Sequence, residues 1–301
     1  MTFSVLVVPN DAGDLIEQLG TKLKFWYFDP VRGACLYKQG RRGTGEDWAE
    51  RVACEVAEAL GLPHATYDLA IWRGQQGVVT PSFRPADSRL VFGNELLVRT
   101  PVADHELDRG YLRQHHTIPR VFRLLSAVNL RIPQPWPADP GGLSAGEVFV
   151  GYLLLDALIG NQDRHDENWG IVATNSELRL QPTFDHASSL GRNETDDRRL
   201  ERLNTKDELR SVAHYCKKAK SWLFAGVGQA SRLTTLDAFL AAAQLHTAAA
   251  IYWLRRLDSL PEEFFRNTLD RVPNDWISAA AREFAIAMML SNRARLLGIK
   301  L

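Results

Sequence analysis

The feature that most constrains the fold is an apolar segment, residues 148–159, that runs directly into a dense polar cluster. The segment carries a single charged residue, Asp156. Ser144 and Glu147, just before it, have the spacing of a capping box, and Gly160 follows as a stop signal, so a helix is predicted here. A helix that is apolar nearly all round is expected in the middle of a lobe, and this one is too short to span a bilayer.

The polar cluster that follows is residues 160–170, GNQDRHDENWG. Polar groups at the end of a buried helix cost desolvation free energy, so a structural purpose or a ligand is expected there. Asp163 and Asn168 stand five residues apart. This is the spacing of a phosphoryl-transfer loop, in which the aspartate orients the acceptor hydroxyl and the asparagine binds magnesium. The alternative for the cluster is a capped, solvated loop.

A second carboxylate, Asp185, follows Asn168 by seventeen residues. Residues 171–172 and 178–180 between them are predicted to form two short strands, and such a hairpin would return Asp185 to the side of Asn168. Magnesium prefers hard oxygen ligands, and the two side chains supply an amide and a carboxylate. For either residue alone a structural role is the better interpretation. Asp163, Asn168 and Asp185 together favour a phosphoryl-transfer site.

The first hundred residues are predicted to be β-rich with one helix. Strands at 24–29 and 34–38 would form a hairpin, a helix is predicted over 46–60, and further short strands are expected at 67–72, 78–83 and 90–98. After residue 200 the pattern is helical. We therefore predict an α+β fold with two lobes, a small β-rich N-lobe over residues 1–98 and a larger, mostly helical C-lobe over 99–301.

Phosphoryl transfer also needs a strand lysine that holds the nucleotide phosphates and a helix glutamate that holds the lysine. Lys38 ends the second predicted hairpin strand, and Glu50 follows twelve residues later on the predicted helix. Glu50 lies off the main apolar stripe, above the small side chains of Ala53, Cys54 and Ala57. On the helical wheel alone, a solvated glutamate is the better interpretation, and Glu46 and Glu55 compete for the same role.

Four segments, LGTKLKFW, LYKQGRRGTGEDWAERVACEVAEALGLP, GNQDRHDENWG and PTFDHASSLG, together resemble the HipA-like kinases. These are bacterial two-lobed kinases whose catalytic loop and metal-binding aspartate are similar to those of phosphoinositide kinases. The resemblance implies a bilobal protein-kinase-like fold that uses ATP and Mg²⁺. It implies roles for these residues: Asp163 as the catalytic aspartate with His165 beside it; Asn168 and Asp185 at the metal; Lys38 at the phosphates with Glu50; Gly20, Thr21, Lys22 and Lys24 in the phosphate-covering loop; and Asn94, Glu95 and Leu96 at the adenine hinge.

Composition narrows the range of partners. Lys plus Arg and Asp plus Glu each number 36, so the formal net charge is zero, and nucleic acid is not expected as a direct partner. No signal peptide or membrane-inserting segment is recognised, so the cytoplasm is the expected location.

We predict transfer of the γ-phosphoryl group of ATP to a Ser or Thr hydroxyl of a protein, with a regulatory partner possible. The alternatives are a lipid headgroup or another small molecule as acceptor, or a non-catalytic protein that binds nucleotide or a partner.

Overall fold

Two β-sheets and a group of helices organise the chain in the computed structural model, which describes residues 1–13, 23–98, 115–127, 129–136 and 141–301. The strands are β1 (Val5–Val7), β2 (Lys24–Asp29), β3 (Gly33–Gln39), β4 (Asp68–Trp72), β5 (Gln75–Pro81), β6 (Arg89–Phe92), β7 (Leu130–Arg131), β8 (Gly170–Ala173) and β9 (Leu178–Leu180). The helices are α1 (Glu46–Leu60), α2 (Gly93–Val98), α3 (Ile118–Leu125), α4 (Ala145–Ile159), α5 (Asp196–Asn204), α6 (Val212–Lys217), α7 (Thr235–Leu245), α8 (Thr247–Asp258), α9 (Glu262–Asp270) and α10 (Ala279–Leu297).

The N-terminal sheet has the strand order β1-β4-β5-β3-β2 and carries helix α1 against strands β4 and β5. Its β2–β3 hairpin aligns Lys24 with Lys38, which places both lysines at the same end of the two strands. Helix α1 ends at Gly61, whose positive φ of 73° is the left-handed conformation that favours glycine at a helix end. The predicted hairpin and the predicted helix are both confirmed. The helix starts after Gly45 without a side-chain cap, and the hydroxyl of the preceding Thr44 donates to the carbonyl of Arg41 at 2.7 Å.

The second sheet has the order β6-β8-β9-β7 and contains the predicted hairpin after the polar cluster. The strand predicted over 90–98 is wrong beyond Phe92, where helix α2 begins. The chain turns at Gly93 because this segment is tied to the polar cluster. The N–H of Gly93 donates to the carbonyl of Trp169, and the N–H of Asn94 donates to that of Asp166, both at 2.9 Å.

The apolar helix α4 lies at the centre of the larger, helical part of the molecule. All of its residues except Glu147 are buried, and Ser144 and Glu147 form the predicted capping box. Helices α7, α8 and α10 pack around it. Gly151 lets this packing become close, because a Cβ there would come within 2.6 Å of both Leu62 and Trp253.

The α+β class and the division into a small β-rich part and a larger helical part are confirmed by this architecture. The predicted domain boundary after residue 98 stays a prediction. The helical pattern predicted after residue 200 is confirmed, and within it helices α7 and α8 meet at His246. In the described part of the chain, every helix is too short or too polar to cross a membrane.

Candidate active site

A cleft of about 1320 Å³ separates the β2–β3 hairpin from the polar cluster that follows helix α4. Residues from both sheets and from the loops between them line it. Among the predicted site residues, its walls include Lys24, Lys38, Asn94, Glu95, His165, Asn168 and Asp185. The fold therefore gathers seven residues from four separate stretches of sequence around one space of nucleotide size.

Lys38 and Asp185 meet across this cleft. The Nζ of Lys38 lies 3.2 Å from the Oδ2 of Asp185, although 147 residues separate them in sequence. Burial disfavours the charge of Lys38, but the carboxylate of Asp185, with Tyr67 and Glu50 nearby, outweighs that cost and raises the pKa of Lys38 above its ordinary value. Lys38 is therefore a permanent cation at the cleft wall.

Asp185 is held in an uncommon backbone conformation. Its φ is +59°, in the left-handed region that non-glycine residues seldom adopt. Its N–H donates to the hydroxyl oxygen of Tyr67, which projects from just before strand β4, at 3.3 Å. Non-glycine residues with such backbone angles cluster at functional sites. The turn at Asp185 directs its carboxylate towards Lys38.

Two hydrogen bonds within the polar cluster hold the backbone of Asp163 in place. The side-chain nitrogen of Asn168 donates to the carbonyl of Asp163 at 2.7 Å, and the side-chain oxygen of Asn161 accepts the N–H of Asp163 at 3.2 Å. Because Asn168 uses its amide nitrogen in this bond, its side-chain oxygen is the atom that can act as a ligand. The five-residue spacing thus has a structural reason: it closes a small loop with Asp163 and Asn168 at its two ends.

A buried arginine anchors this loop to helix α4. Arg164 donates twice to the carboxylate of Asp156, from Nε at 2.7 Å and from a terminal nitrogen at 2.8 Å. It also donates to the carbonyl of Asn168 at 2.8 Å and to the hydroxyl of Thr183 at 2.9 Å. Arg164 therefore connects Asp156 of helix α4 with the loop and with the segment leading to Asp185.

Glu50 lies behind the cleft and is fully buried. Its carboxylate accepts the backbone N–H of His186 at 2.7 Å, and it lies 3.5 Å from the Nδ1 of the same residue. Within the described residues, the ion pair of Lys38 is made with Asp185 and not with the predicted partner Glu50. Glu50 acts on the lysine only at longer range and is bound instead to the residue after Asp185.

The other predicted residues are distributed unevenly. His165 lines the cleft, and its Nε2 lies 3.8 Å from the Oδ1 of Asp163. Asn94 and Glu95 line the cleft from the first turn of helix α2, whereas Leu96 packs against the hydrophobic core. Gly20, Thr21 and Lys22 lie outside the described residues, so the predicted phosphate-covering loop is represented only by Lys24.

The donor set fits magnesium. Within the described residues, no group of three or more His, Cys, Asp and Glu side chains could hold a metal by itself. Magnesium that binds together with nucleotide phosphates needs only one or two protein oxygens. Asn168 and Asp185 line the same cleft and can supply such oxygens.

Several residues of the site escaped the sequence analysis. Asp156, Arg164 and His186 form its buried support, and Ser188 donates to the Oδ2 of Asp163 at 3.3 Å. Asp156 had a usable signal, because a lone acid in an apolar helix needs a cation and Arg164 follows eight residues later. For His186 and Ser188 the sequence offered no signal beyond their position just after Asp185.

The fold is shared with two solved structures, a kinase and a HipA protein, so the predicted bilobal kinase-like fold is confirmed. Comparison of the sequence with descriptions of protein families and with curated proteins gives no match.

Two solved structures are similar to this chain. The Helicobacter pylori proinflammatory kinase CtkA aligns with a TM-score of 0.70 and 18% identity, over 93% of this chain and 90% of that one. HipA of Shewanella oneidensis MR-1, from a toxin–antitoxin complex with HipB and operator DNA, aligns with a TM-score of 0.57 and 14% identity. That alignment covers 95% of this chain and 67% of HipA.

Proposed function

We propose that this protein is a kinase that uses ATP and Mg²⁺ to phosphorylate a Ser or Thr hydroxyl of a protein substrate. The observation that carries the proposal is the contact of Lys38 with Asp185 in a cleft that Asn168 also lines. Asp163 is not itself in the cleft wall, but it lies 3.8 Å from His165, which is. Apart from His165, these residues have the chemistry of phosphate, metal and acceptor binding, and they come from three distant parts of the sequence. The fold shared with the kinase CtkA and with HipA supports the same function.

Each residue has a proposed task. Lys38 holds the α- and β-phosphates. Its ammonium group gives up its contact with Asp185 when these phosphates bind. Asn168 and Asp185 would hold the magnesium ion, which when bound neutralises charge on the β- and γ-phosphates. Leu36, Phe92 and Phe184 line the part of the cleft available to the base. Glu50 keeps the Asp185 segment in place through the backbone of His186.

The transfer step then depends on the placement of the acceptor. The hydroxyl oxygen of the substrate forms a bond to the γ-phosphorus while the bond from that phosphorus to the bridging oxygen of ADP breaks. Asp163 accepts the hydroxyl proton, and ADP leaves with the electron pair of the broken bond. Catalysis is mainly positioning and charge stabilisation, as in other phosphoryl transfers.

The test is incubation of the purified chain with γ-labelled ATP and Mg²⁺, together with casein and separately with a cell lysate. Mass spectrometry of the protein fraction is expected to find label on Ser or Thr. Label in the lipid or small-molecule fraction would replace the proposed acceptor by one of the other classes. Nucleotide binding with no label in any fraction would overturn the kinase assignment.

Asp163→Asn provides the internal control for this experiment. It removes the proton acceptor while keeping the size of the side chain, so transfer is expected to fall roughly 100- to 10,000-fold. Binding of Mg-ATP, measured by calorimetry, should stay close to that of the wild type because Asp163 faces the acceptor. Asp197→Asn, at an exposed acid in helix α5, is the matched substitution that should change neither quantity.

A further inference from the structure

A chain of polar contacts runs from Asp163 to the start of helix α1. The hydroxyl of Ser188 donates to the Oδ2 of Asp163 at 3.3 Å. A terminal nitrogen of Arg192 donates to the same hydroxyl oxygen at 3.0 Å, and its other terminal nitrogen pairs with Glu46. Three side-chain contacts therefore connect the proposed proton acceptor to the first residue of helix α1.

The direction of each hydrogen bond in this chain is fixed by chemistry. A guanidinium group can only donate, so the oxygen of Ser188 must be the acceptor in its contact with Arg192. The single proton of the Ser188 hydroxyl is then directed to Asp163. This contact engages Oδ2, whereas Oδ1 lies 3.8 Å from the Nε2 of His165, a residue that lines the cleft. Oδ1 is therefore the oxygen better placed to receive a substrate proton.

The backbone of Ser188 is also fixed to the loop that carries Asp163. The N–H of Gln162 donates to the carbonyl of Ser188 at 3.1 Å. Ser188 follows Asp185 by three residues, so one short segment supplies both the proposed metal ligand and the hydroxyl that contacts Asp163. The relative placement of the metal and the acceptor is therefore built into residues 185–188.

Arg192 connects this segment to the N-terminal part of the molecule. Its side chain is 11% exposed, and its partner Glu46 is 3% exposed. The carbonyl of Arg192 also accepts the N–H of Gly45 at 3.3 Å. A charge pair with so little solvent contact holds its geometry more firmly than a surface pair, so a shift of helix α1 would move Arg192.

We propose that Ser188 and Arg192 are positioning residues that orient the carboxylate of Asp163, so that Oδ1 receives the proton of the acceptor hydroxyl. This inference rests on the proposed kinase function. It adds a physical route by which the position of helix α1 controls acceptor activation, separate from nucleotide binding. Neither residue is required to touch the nucleotide.

The experiment compares Ser188→Ala with Ser188→Thr, using transfer of label from Mg-ATP to casein and to the chain itself. Ser188→Ala removes the donor, and kcat is expected to fall roughly ten- to a hundredfold while KM for ATP stays within about twofold. Ser188→Thr keeps the hydroxyl and should restore most of the rate. Ser189→Ala is the matched control, because the neighbouring Ser189 hydroxyl is buried and has no hydrogen-bond partner among the described residues.

A double-mutant cycle tests the role of Arg192. Arg192→Gln should lower kcat, and its effect should largely vanish when Ser188 is already alanine, because the arginine acts through that hydroxyl. Arg198→Gln, at an exposed arginine of the following helix, controls for loss of charge. Thermal unfolding of every variant identifies any that are damaged as a whole. Independent, additive effects of the two substitutions would overturn the proposal that Arg192 acts through Ser188.

The outcomes separate this inference from the kinase assignment. If the wild type transfers label and Ser188→Ala matches it in kcat, the positioning role is overturned while the kinase function stands. A Ser188→Thr variant as slow as Ser188→Ala, or a loss expressed only in KM for ATP, would also overturn it. If the wild type transfers no label to any acceptor, the kinase assignment fails and this inference fails with it.

Discussion

Two ion pairs in this molecule have the same charges but different surroundings. The Asp156–Arg164 pair is almost sealed from solvent, with side chains 3% and 1% exposed, and it makes further hydrogen bonds to Asn168 and Thr183. The Lys38–Asp185 pair lines the cleft, with side chains 21% and 34% exposed. The first pair is fully satisfied within the protein. The second presents its charges to whatever enters the cleft.

The comparison distinguishes an ion pair that stabilises the fold from an ion pair that is available to bind a ligand. Breaking a buried pair leaves an uncompensated charge in a medium that solvates it poorly, so its cost is expressed in folding. The charges of a half-exposed pair can be solvated or can exchange partners, so its loss has little effect on folding. The difference predicts which measurement each pair will affect.

The largest expected effect comes from Arg164→Met. This substitution leaves the buried carboxylate of Asp156 without its cation, and the free energy of unfolding should fall by about 3–5 kcal/mol. Urea unfolding measures the change, and Arg198→Met at an exposed site is the control. The double variant Asp156→Leu with Arg164→Met should recover part of the loss, because no buried charge remains. A loss below about 1 kcal/mol for Arg164→Met would contradict the supporting role.

Lys38→Met tests the other pair and should affect binding more than stability. Its free energy of unfolding is expected to change by no more than about 1 kcal/mol. Affinity for Mg-ATP should fall roughly ten- to a hundredfold, the value of one charge-assisted hydrogen bond. Calorimetry with Mg-ATP measures the affinity, with Lys206→Met at an exposed lysine as the control. Unchanged affinity would remove Lys38 from the proposed phosphate site.

A pH-dependent effect is expected at Asp47, a buried acid whose side chain accepts the N–H of Trp48 at 2.8 Å. Burial raises the pKa of Asp47 to about 6, although the Trp48 N–H partly opposes the shift. The folded protein therefore holds a proton that the unfolded chain releases between about pH 4 and pH 6, and stability from this group is lost as the pH rises through that range.

Asp47→Asn should consequently stabilise the protein at pH 7.5, by up to about 3 kcal/mol, and have almost no effect at pH 4. Thermal unfolding at both pH values checks the prediction, and Asp197→Asn should show no such dependence. A stabilisation equal at the two pH values would mean that packing, and not the buried charge, is responsible. The difference between the two pH values would give the free-energy cost of burying the Asp47 carboxylate when a backbone N–H is its partner.

Local patterns allowed much of this fold to be predicted. The bounds of helix α1 and of the β2–β3 hairpin were predicted closely, because apolar spacing and turn residues determine them within a few positions. The meeting of Lys38 with Asp185 was also expected, since the motifs imply a shared cleft. The roles proposed for these residues remain predictions.

Long-range contacts set the limit of prediction. Helix α2 begins at Gly93 because the carbonyls of Asp166 and Trp169 bind the backbone there, and no local pattern encodes partners more than seventy residues away. The pairing of Glu50 with His186 was missed for the same reason, since 136 residues separate them. A helical wheel reports which side a residue faces but not which element will meet it.

The left-handed backbone at Asp185 limits how this position can change during evolution. Asparagine and glycine adopt that conformation readily, whereas a β-branched residue adds strain to the loss of the carboxylate. A descendant of this chain that abandons phosphoryl transfer would therefore pass most easily through Asn or Gly at position 185. Finding either residue there in a related genome would mark a degenerate copy that still folds.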